Sequence, residues 1–140
     1  MRLIALFIFF TCFSFSAGTQ TLTEADESSQ VPSTEEYETK AKTLFGIASY
    51  YADKFNGRKT ANGAFYSHAK FTAACNVLAL GTWIRVTNLR NNKTIIVQVN
   101  DRLHPKNKRI VDLSRIAAEK LGYIARGLTQ VKVEVLTRKK

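Results

Sequence analysis

Apolar and polar residues alternate through much of this chain at the two-residue period of a β-strand. Trp83-Ile84-Arg85-Val86-Thr87-Asn88 alternates cleanly, and Thr94-Ile95-Ile96-Val97-Gln98-Val99 is rich in β-branched residues. Between them lies Leu89-Arg90-Asn91-Asn92-Lys93, whose Asn pair tolerates positive φ, so the two runs are predicted to form a hairpin. Phe45-Gly46-Ile47-Ala48-Ser49-Tyr50-Tyr51 alternates enough to be a strand. Near the end, Val131, Val133 and Val135 alternate with Lys132 and Glu134, which predicts a last strand over 130–136. One helix is predicted, because Leu113, Ile116, Ala117 and Leu121 share a face, with Ser114 placed to cap its start and Gly122 to end it. Several short strands with one short helix predict a mainly β domain, a small barrel rather than a parallel α/β sheet. A chain of 140 residues has room for one such domain, with a core that needs no metal or disulfide staples.

The first residues stand outside that pattern. Met1-Arg2 gives a positive start, residues 3–10 are an unbroken apolar run, and Ser14, Ser16, Ala17 and Gly18 follow. That layout predicts a secretory signal peptide over 1–17, cut after Ser16 or Ala17, because the run is too short for a membrane-spanning helix. A short membrane anchor is the alternative. Lipid attachment at Cys12 is the minor reading, since Phe9-Phe10-Thr11 is bulky where that processing wants small residues. With Cys12 removed, Cys75 is the only cysteine left, and no internal disulfide can form.

Charge divides the rest. Residues 18–40 hold six acids and one base, and 18–43 is expected to be a solvated acidic tether. From 41 to 140 there are 19 Lys+Arg against five Asp+Glu, a net +14 that the formal +10 of the whole chain conceals. The domain is expected over 44–137, with a basic tail at 138–140. So basic a field favours an anionic partner, namely nucleic acid, anionic lipid or an acidic wall polymer, and export argues against nucleic acid. The positives are scattered, so a merely solubilising surface is the plain alternative. There is no Gly-rich phosphate loop and no clustered metal-ligand spacing, so neither cofactor nor metal is expected. No second module is expected after the last strand.

The motifs add specificity. In order they are Gly46-Ile47-Ala48-Ser49-Tyr50-Tyr51, Phe55-Asn56-Gly57-Arg58-Lys59-Thr60-Ala61-Asn62-Gly63, Phe71-Thr72-Ala73-Ala74, Leu80-Gly81-Thr82, Val86-Thr87-Asn88, Val99-Asn100-Asp101-Arg102 and Arg109-Ile110-Val111-Asp112-Leu113-Ser114. This series resembles the rare lipoprotein A (RlpA) family of bacterial cell-envelope proteins, from about residue 45 to 136. The resemblance implies a six-stranded double-psi β-barrel with one or two short helices, and peptidoglycan glycan strands as ligand. In active members it implies an endolytic lytic transglycosylase. Such an enzyme cleaves between N-acetylmuramic acid and N-acetylglucosamine through the sugar's own C6 hydroxyl, leaving a 1,6-anhydro end. One carboxyl group can serve, first protonating the glycosidic oxygen and then taking the hydroxyl proton.

Asp101, ending a strongly apolar strand and matching the family's Asn-Asp-Arg aspartate, is the catalytic candidate; the alternative is a turn-forming Asp paired with Arg102. Thr60, Asn62 and Tyr66 are candidates to hydrogen-bond sugar hydroxyls or N-acetyl groups. Cys75 and Asp112 are grouped with them as substrate-side positions, although Asp112 also suits a structural role at the helix start or with a nearby Arg. Tyr50, Tyr51 and Trp83 could stack on sugars or simply pack. The chain also departs from the family pattern. Ala64 stands where active members carry Glu, Cys75 where they carry His, Ser67 where they carry Asp, and Leu103-His104-Pro105 where Gly follows the Asn-Asp-Arg motif. His68 and His104 lie nearby and are read as exposed loop residues. Two readings result: an enzyme acting through Asp101 alone, or a barrel that binds glycan strands without cutting them. A third, weaker one makes Cys75 a redox or metal site.

Overall fold

The computed structural model describes residues 33–139; the expected signal peptide, Cys12 and most of the acidic stretch lie outside them. A 3-10 turn at Thr34–Glu36 leads into β1 (Tyr37–Tyr50), and a second follows at Asp53–Phe55. Then come β2 (Thr72–Ala74), β3 (Trp83–Asn88), β4 (Thr94–Asp101), β5 (Val111–Leu113), α1 (Arg115–Leu121) and β6 (Thr129–Arg138). The strands close into a barrel in the order β1-β5-β2-β4-β3-β6. β1 runs parallel to β5 and β2 parallel to β4, while the other four pairings are antiparallel. This is the double-psi β-barrel that the resemblance implied, mainly β with one short α-helix.

Alternation supplies the core. Ile84 and Val86 from β3, Val97 and Val99 from β4, Val111 and Leu113 from β5, and Val131 and Val133 from β6 all point inward and are buried. Ala117, Ala118 and Leu121 of α1 pack onto the same cluster. Ser114 stands at the N-cap, but its hydroxyl makes no capping bond and is buried without a partner. Its backbone N–H instead bonds to the Thr72 carbonyl at 2.9 Å, tying the helix start to β2. At the other end Gly122 takes the left-handed conformation (φ 77°). The hairpin finishes that helix, since the Nδ2 groups of Asn88 and Asn91 each donate to the Leu121 carbonyl at 2.9 Å.

Two expected boundaries move outward. β1 begins at Tyr37, so residues 37–43 form strand rather than tether, and β6 runs on to Arg138. Tyr37 pairs with Arg138, and its ring packs against Trp83 with centroids 5.3 Å apart. With Ile96 and Leu136 they form a small cluster separate from the main core. Burial of that one aromatic ring, together with the Glu36–Arg138 ion pair, holds a stretch whose polar composition suggested none.

Gly46 positions the segment leading into β5. A Cβ there would lie 2.9 Å from Ile110 Cβ, whose backbone N–H bonds to the Ile47 carbonyl at 2.9 Å. Neither atom is the free end of a side chain, so the backbone must shift. Gly46→Ala should therefore destabilise the fold by about 1–3 kcal/mol, measured as a lowered urea midpoint at unchanged slope. An unchanged midpoint would mean that this approach is not tight.

Candidate active site

An open trough of about 1060 Å³ crosses the barrel where the ends of β1, β2 and β4 meet β5. Asp101, the last residue of β4, lines it. Its Oδ2 accepts the Tyr51 hydroxyl at 2.6 Å, and its Oδ1 accepts the backbone N–H groups of Ala61 at 2.9 Å and Arg102 at 2.8 Å. The Arg102 guanidinium is turned away and donates to the carbonyls of Leu78 (2.6 Å) and Cys75. The pairing of Asp101 with Arg102 thus runs through the backbone N–H and not through the guanidinium.

Tyr51 links that carboxylate to the rest of the wall. Its ring stacks on Tyr66 with centroids 4.1 Å apart and meets Phe55 edge-on. Burial, then the hydrogen bond to Asp101, then the charges of Asp101 and Asp112, push its hydroxyl far above the usual tyrosine range. It stays neutral and acts as a donor. Tyr66 is pushed up to about 12 by burial, against the opposing pull of Arg115. Its hydroxyl lies 2.9 Å from His68 Nδ1 and accepts the Arg115 backbone N–H at 3.2 Å. His68 in turn sits 3.4 Å from Asp53. It is thus a half-buried buttress of Tyr66, not an exposed loop histidine, and it does not line the trough. His104 is exposed and does line it.

Asp112, on β5, faces the same trough. It accepts the Ser49 hydroxyl at 2.5 Å, and Arg109 Nε lies 3.1 Å from its Oδ1. It makes the nearby-Arg pairing foreseen for it, and its contacts run to β1 and Arg109 rather than to the helix amides. Arg58, Lys59 and His104 complete a wall richer in cations than in acids.

Thr60 and Asn62 serve their own loop. The Thr60 hydroxyl lies 2.6 Å from Asn62 Oδ1 and 3.0 Å from the Ala64 carbonyl, while Asn62 Oδ1 also accepts the Ala64 N–H at 3.1 Å. Asn62 N–H bonds to the Asn100 carbonyl at 3.1 Å, which presses the loop against the end of β4 and delivers the Ala61 N–H to Asp101. Neither residue lines the trough. Ala64 is exposed on that loop. Cys75 is sealed in the core at 1% exposure. Its neighbour Ala74 lines the trough, and one residue further the chain turns inward, so the thiol is placed to pack and not to touch a ligand. Trp83 belongs to the outer cluster with Tyr37, whereas Tyr50 and Tyr51 line the trough. Sequence reading did not single out Ser49 or Lys59. It had no means to place Ser49 opposite Asp112, although the Arg109-x-x-Asp112 spacing was visible.

A closed mixed barrel whose open trough holds two carboxylates, Asp101 and Asp112, defines the class, a double-psi β-barrel with a cleft. A family model described as lytic transglycolase matches residues 43–133, and the chain belongs to this RlpA family of double-psi barrels. It is 48% identical over 99 residues to the endolytic peptidoglycan transglycosylase RlpA of Haemophilus influenzae, covering 71% of this chain and 34% of that one. It is 48% identical over 95 residues to RlpA of Pseudomonas aeruginosa, covering 68% and 28%. The chain thus spans about a third of the length of these curated relatives. Among solved structures, the Streptomyces papain inhibitor superposes with a TM-score of 0.57 at 22% identity, over 70% of this chain and 96% of that one, which speaks for the fold alone. A Clavibacter michiganensis expansin in complex with cellohexaose superposes with a TM-score of 0.53 at 25% identity, over 71% and 52%.

Proposed function

We propose that this chain is an exported endolytic peptidoglycan lytic transglycosylase, cleaving the MurNAc-GlcNAc bond with formation of 1,6-anhydro-MurNAc ends, and that Asp101 is its one acid and base. The observation that carries this reading is the setting of the Asp101 carboxyl, which stays satisfied in both protonation states. When protonated on Oδ2, it keeps both backbone amides on Oδ1, still accepts Tyr51, and offers its proton to a glycosidic oxygen lying in the trough. After transfer, the same three donors hold the anion beside the oxocarbenium-like sugar. The carboxylate then takes the proton of the C6 hydroxyl as that oxygen closes on C1, so no water is consumed. Tyr66, stacked behind Tyr51, and Asp112, paired with Arg109, shape the pocket and face the substrate without exchanging its protons. A similar expansin, matched over 52% of its chain, is a complex with cellohexaose, which agrees with a glycan strand as the proposed occupant. No helix among the described residues is long and apolar enough to cross a membrane, and work on wall polymer outside the cytoplasm fits the export signal read from residues 1–17.

The second reading, a barrel that binds glycan strands without cutting them, draws on Ala64 and the sealed Cys75. These two positions of the family pattern carry no group able to move a proton in the trough. Incubating the purified chain with glycan strands and resolving the muropeptides chromatographically separates the two. Anhydro-muramyl ends are expected. Co-sedimentation with sacculi and no such product would favour the binder, and neither binding nor product would remove both.

A further inference from the structure

Most polar side chains of the trough are already committed. The hydroxyls of Ser49 and Tyr51 are given to Asp112 and Asp101, and the Arg102 guanidinium to backbone carbonyls. His104 is different. Its Nδ1 accepts the Lys106 backbone N–H at 3.2 Å, so in the neutral ring the proton sits on Nε2. That N–H has no partner among the described residues, and the ring is exposed on the trough wall. The turn that carries it is held on both sides. Asn76 Oδ1 accepts the Leu103 N–H at 2.9 Å, and the His104 carbonyl accepts the Asn107 N–H at 2.8 Å. The donor is thus in place before a ligand arrives, and meeting it costs little ordering. This Leu103-His104-Pro105 stretch is also where the chain departs from the family pattern. A fixed donor whose own acceptor is spent favours a ligand atom that only accepts. A sugar hydroxyl both donates and accepts, and can turn to Asp101 or Asp112 instead, whereas the carbonyl oxygen of an acetamido group cannot. The cations Arg58 and Lys59 on the same wall suit a carboxylate; an uncharged imidazole N–H suits the uncharged carbonyl.

We propose that His104 is a specificity-determining residue of the trough, its Nε2–H donating to the acetamido carbonyl of a bound N-acetylated sugar. Leu103 and Ala74, which line the same trough, offer apolar surface to the methyl of that group. This rests on the proposed function and names the residue that reads one substituent of the strand.

Binding of the full chain to the β-linked hexamer of N-acetylglucosamine and to cellohexaose tests this, since both oligomers are uncharged and differ in the acetamido group that replaces a hydroxyl. The N-acetylated hexamer should bind about fivefold more tightly, the worth of one hydrogen bond. His104→Asn keeps an oxygen where Nδ1 stands, as Asn107 already does for the Arg109 N–H at 3.0 Å, but has no donor at the reach of Nε2. It should lose about fivefold on the N-acetylated hexamer and nothing on cellohexaose. His104→Gln places an amide N–H at the reach of Nε2 and should keep most of the preference. On glycan strands, His104→Asn should raise KM by about the same factor at nearly constant kcat, because the contact is made in ground and transition state alike. Equal losses on both hexamers overturn the inference. So does an Asn variant that loses nothing, or a Gln variant that loses as much as Asn, which would leave the ring a turn-former only. Where anhydro-muramyl ends still form in these cases, the enzyme reading stands. Strands neither bound nor cut would remove the proposed function together with the inference.

Discussion

Asp101→Asn is expected to lower the yield of anhydro-muramyl ends by about 10²–10⁴-fold, the usual contribution of a positioned general acid, while the folded chain survives. The survival follows from the contacts. Asn keeps an oxygen that can accept the Ala61 and Arg102 amides, and its NH₂ can donate to the Tyr51 oxygen, so the loop over 57–66 stays pinned. What Asn lacks is a transferable proton and, after transfer, a negative charge. The loss should therefore appear in kcat at nearly constant affinity for glycan, because the group acts in the transition state and not in ground-state binding. Tyr51→Phe provides the graded comparison, since it removes one of three donors and should cost less than Asp101→Asn. If Asp101→Asn yields product at the parental rate, the carboxyl is only a loop anchor, and the trough either works through another group or does not cleave.

How far the sequence led depended on the length of each element. β3, β4 and β6 have six, eight and ten residues, long enough for alternation to show, and the hairpin between β3 and β4 announced itself through its Asn pair. β2 and β5 have three residues each and carry no readable period, yet they provide both parallel pairings, joining positions as distant as Ala48 and Val111. The short strands by themselves suggested a small barrel, but its six-stranded double-psi closure was legible only through the family resemblance. The first half of β1 was hidden because its stability comes from partners at the far end of the chain, Leu136 and Arg138, and from Trp83. At the site, Asp101 stood out as a candidate mostly because it matches the Asn-Asp-Arg aspartate of the resembled family, and also because it ends an apolar strand. Its donors did not, since Tyr51 and Ala61 lie 50 and 40 residues away. Thr60 and Asn62 have the right chemistry for sugars but spend it on each other, and Cys75 misses the trough by a single step of backbone from Ala74. Such outcomes turn on one-residue differences in facing, which composition and motif order do not encode.

The wall that holds Asp101 should also set the alkaline limit of the fold. Tyr51 and Tyr123 are pushed far above the ordinary tyrosine range and Tyr66 to about 12, with burial the first cause in each case. Tyr123 is 1% exposed and donates its hydroxyl to the Ser49 carbonyl at 2.8 Å, directly behind the trough. Each group holds its proton more firmly in the folded than in the unfolded chain. The stability this provides is complete below about pH 10, where both states are protonated, and is lost as pH rises through the folded values. Above pH 10 the unfolded chain binds fewer protons, so stability falls by about 1.4 kcal/mol per pH unit for each withheld proton, and by up to about 4 for three. The slope eases near 12, where Tyr66 releases its own proton in the folded state. Urea titrations at pH 9, 10, 11 and 11.5 should show a flat limb and then a steep loss, with the part of the tyrosinate absorbance at 295 nm that Tyr51→Phe or Tyr123→Phe removes rising only as the fold opens. Tyr123→Phe should remove about a third of that slope, even if its lost hydrogen bond lowers stability at neutral pH. That part of the absorbance appearing near pH 10 in chain that is still folded would show that these hydroxyls are reached by solvent, and the closed wall behind Asp101 would have to be abandoned.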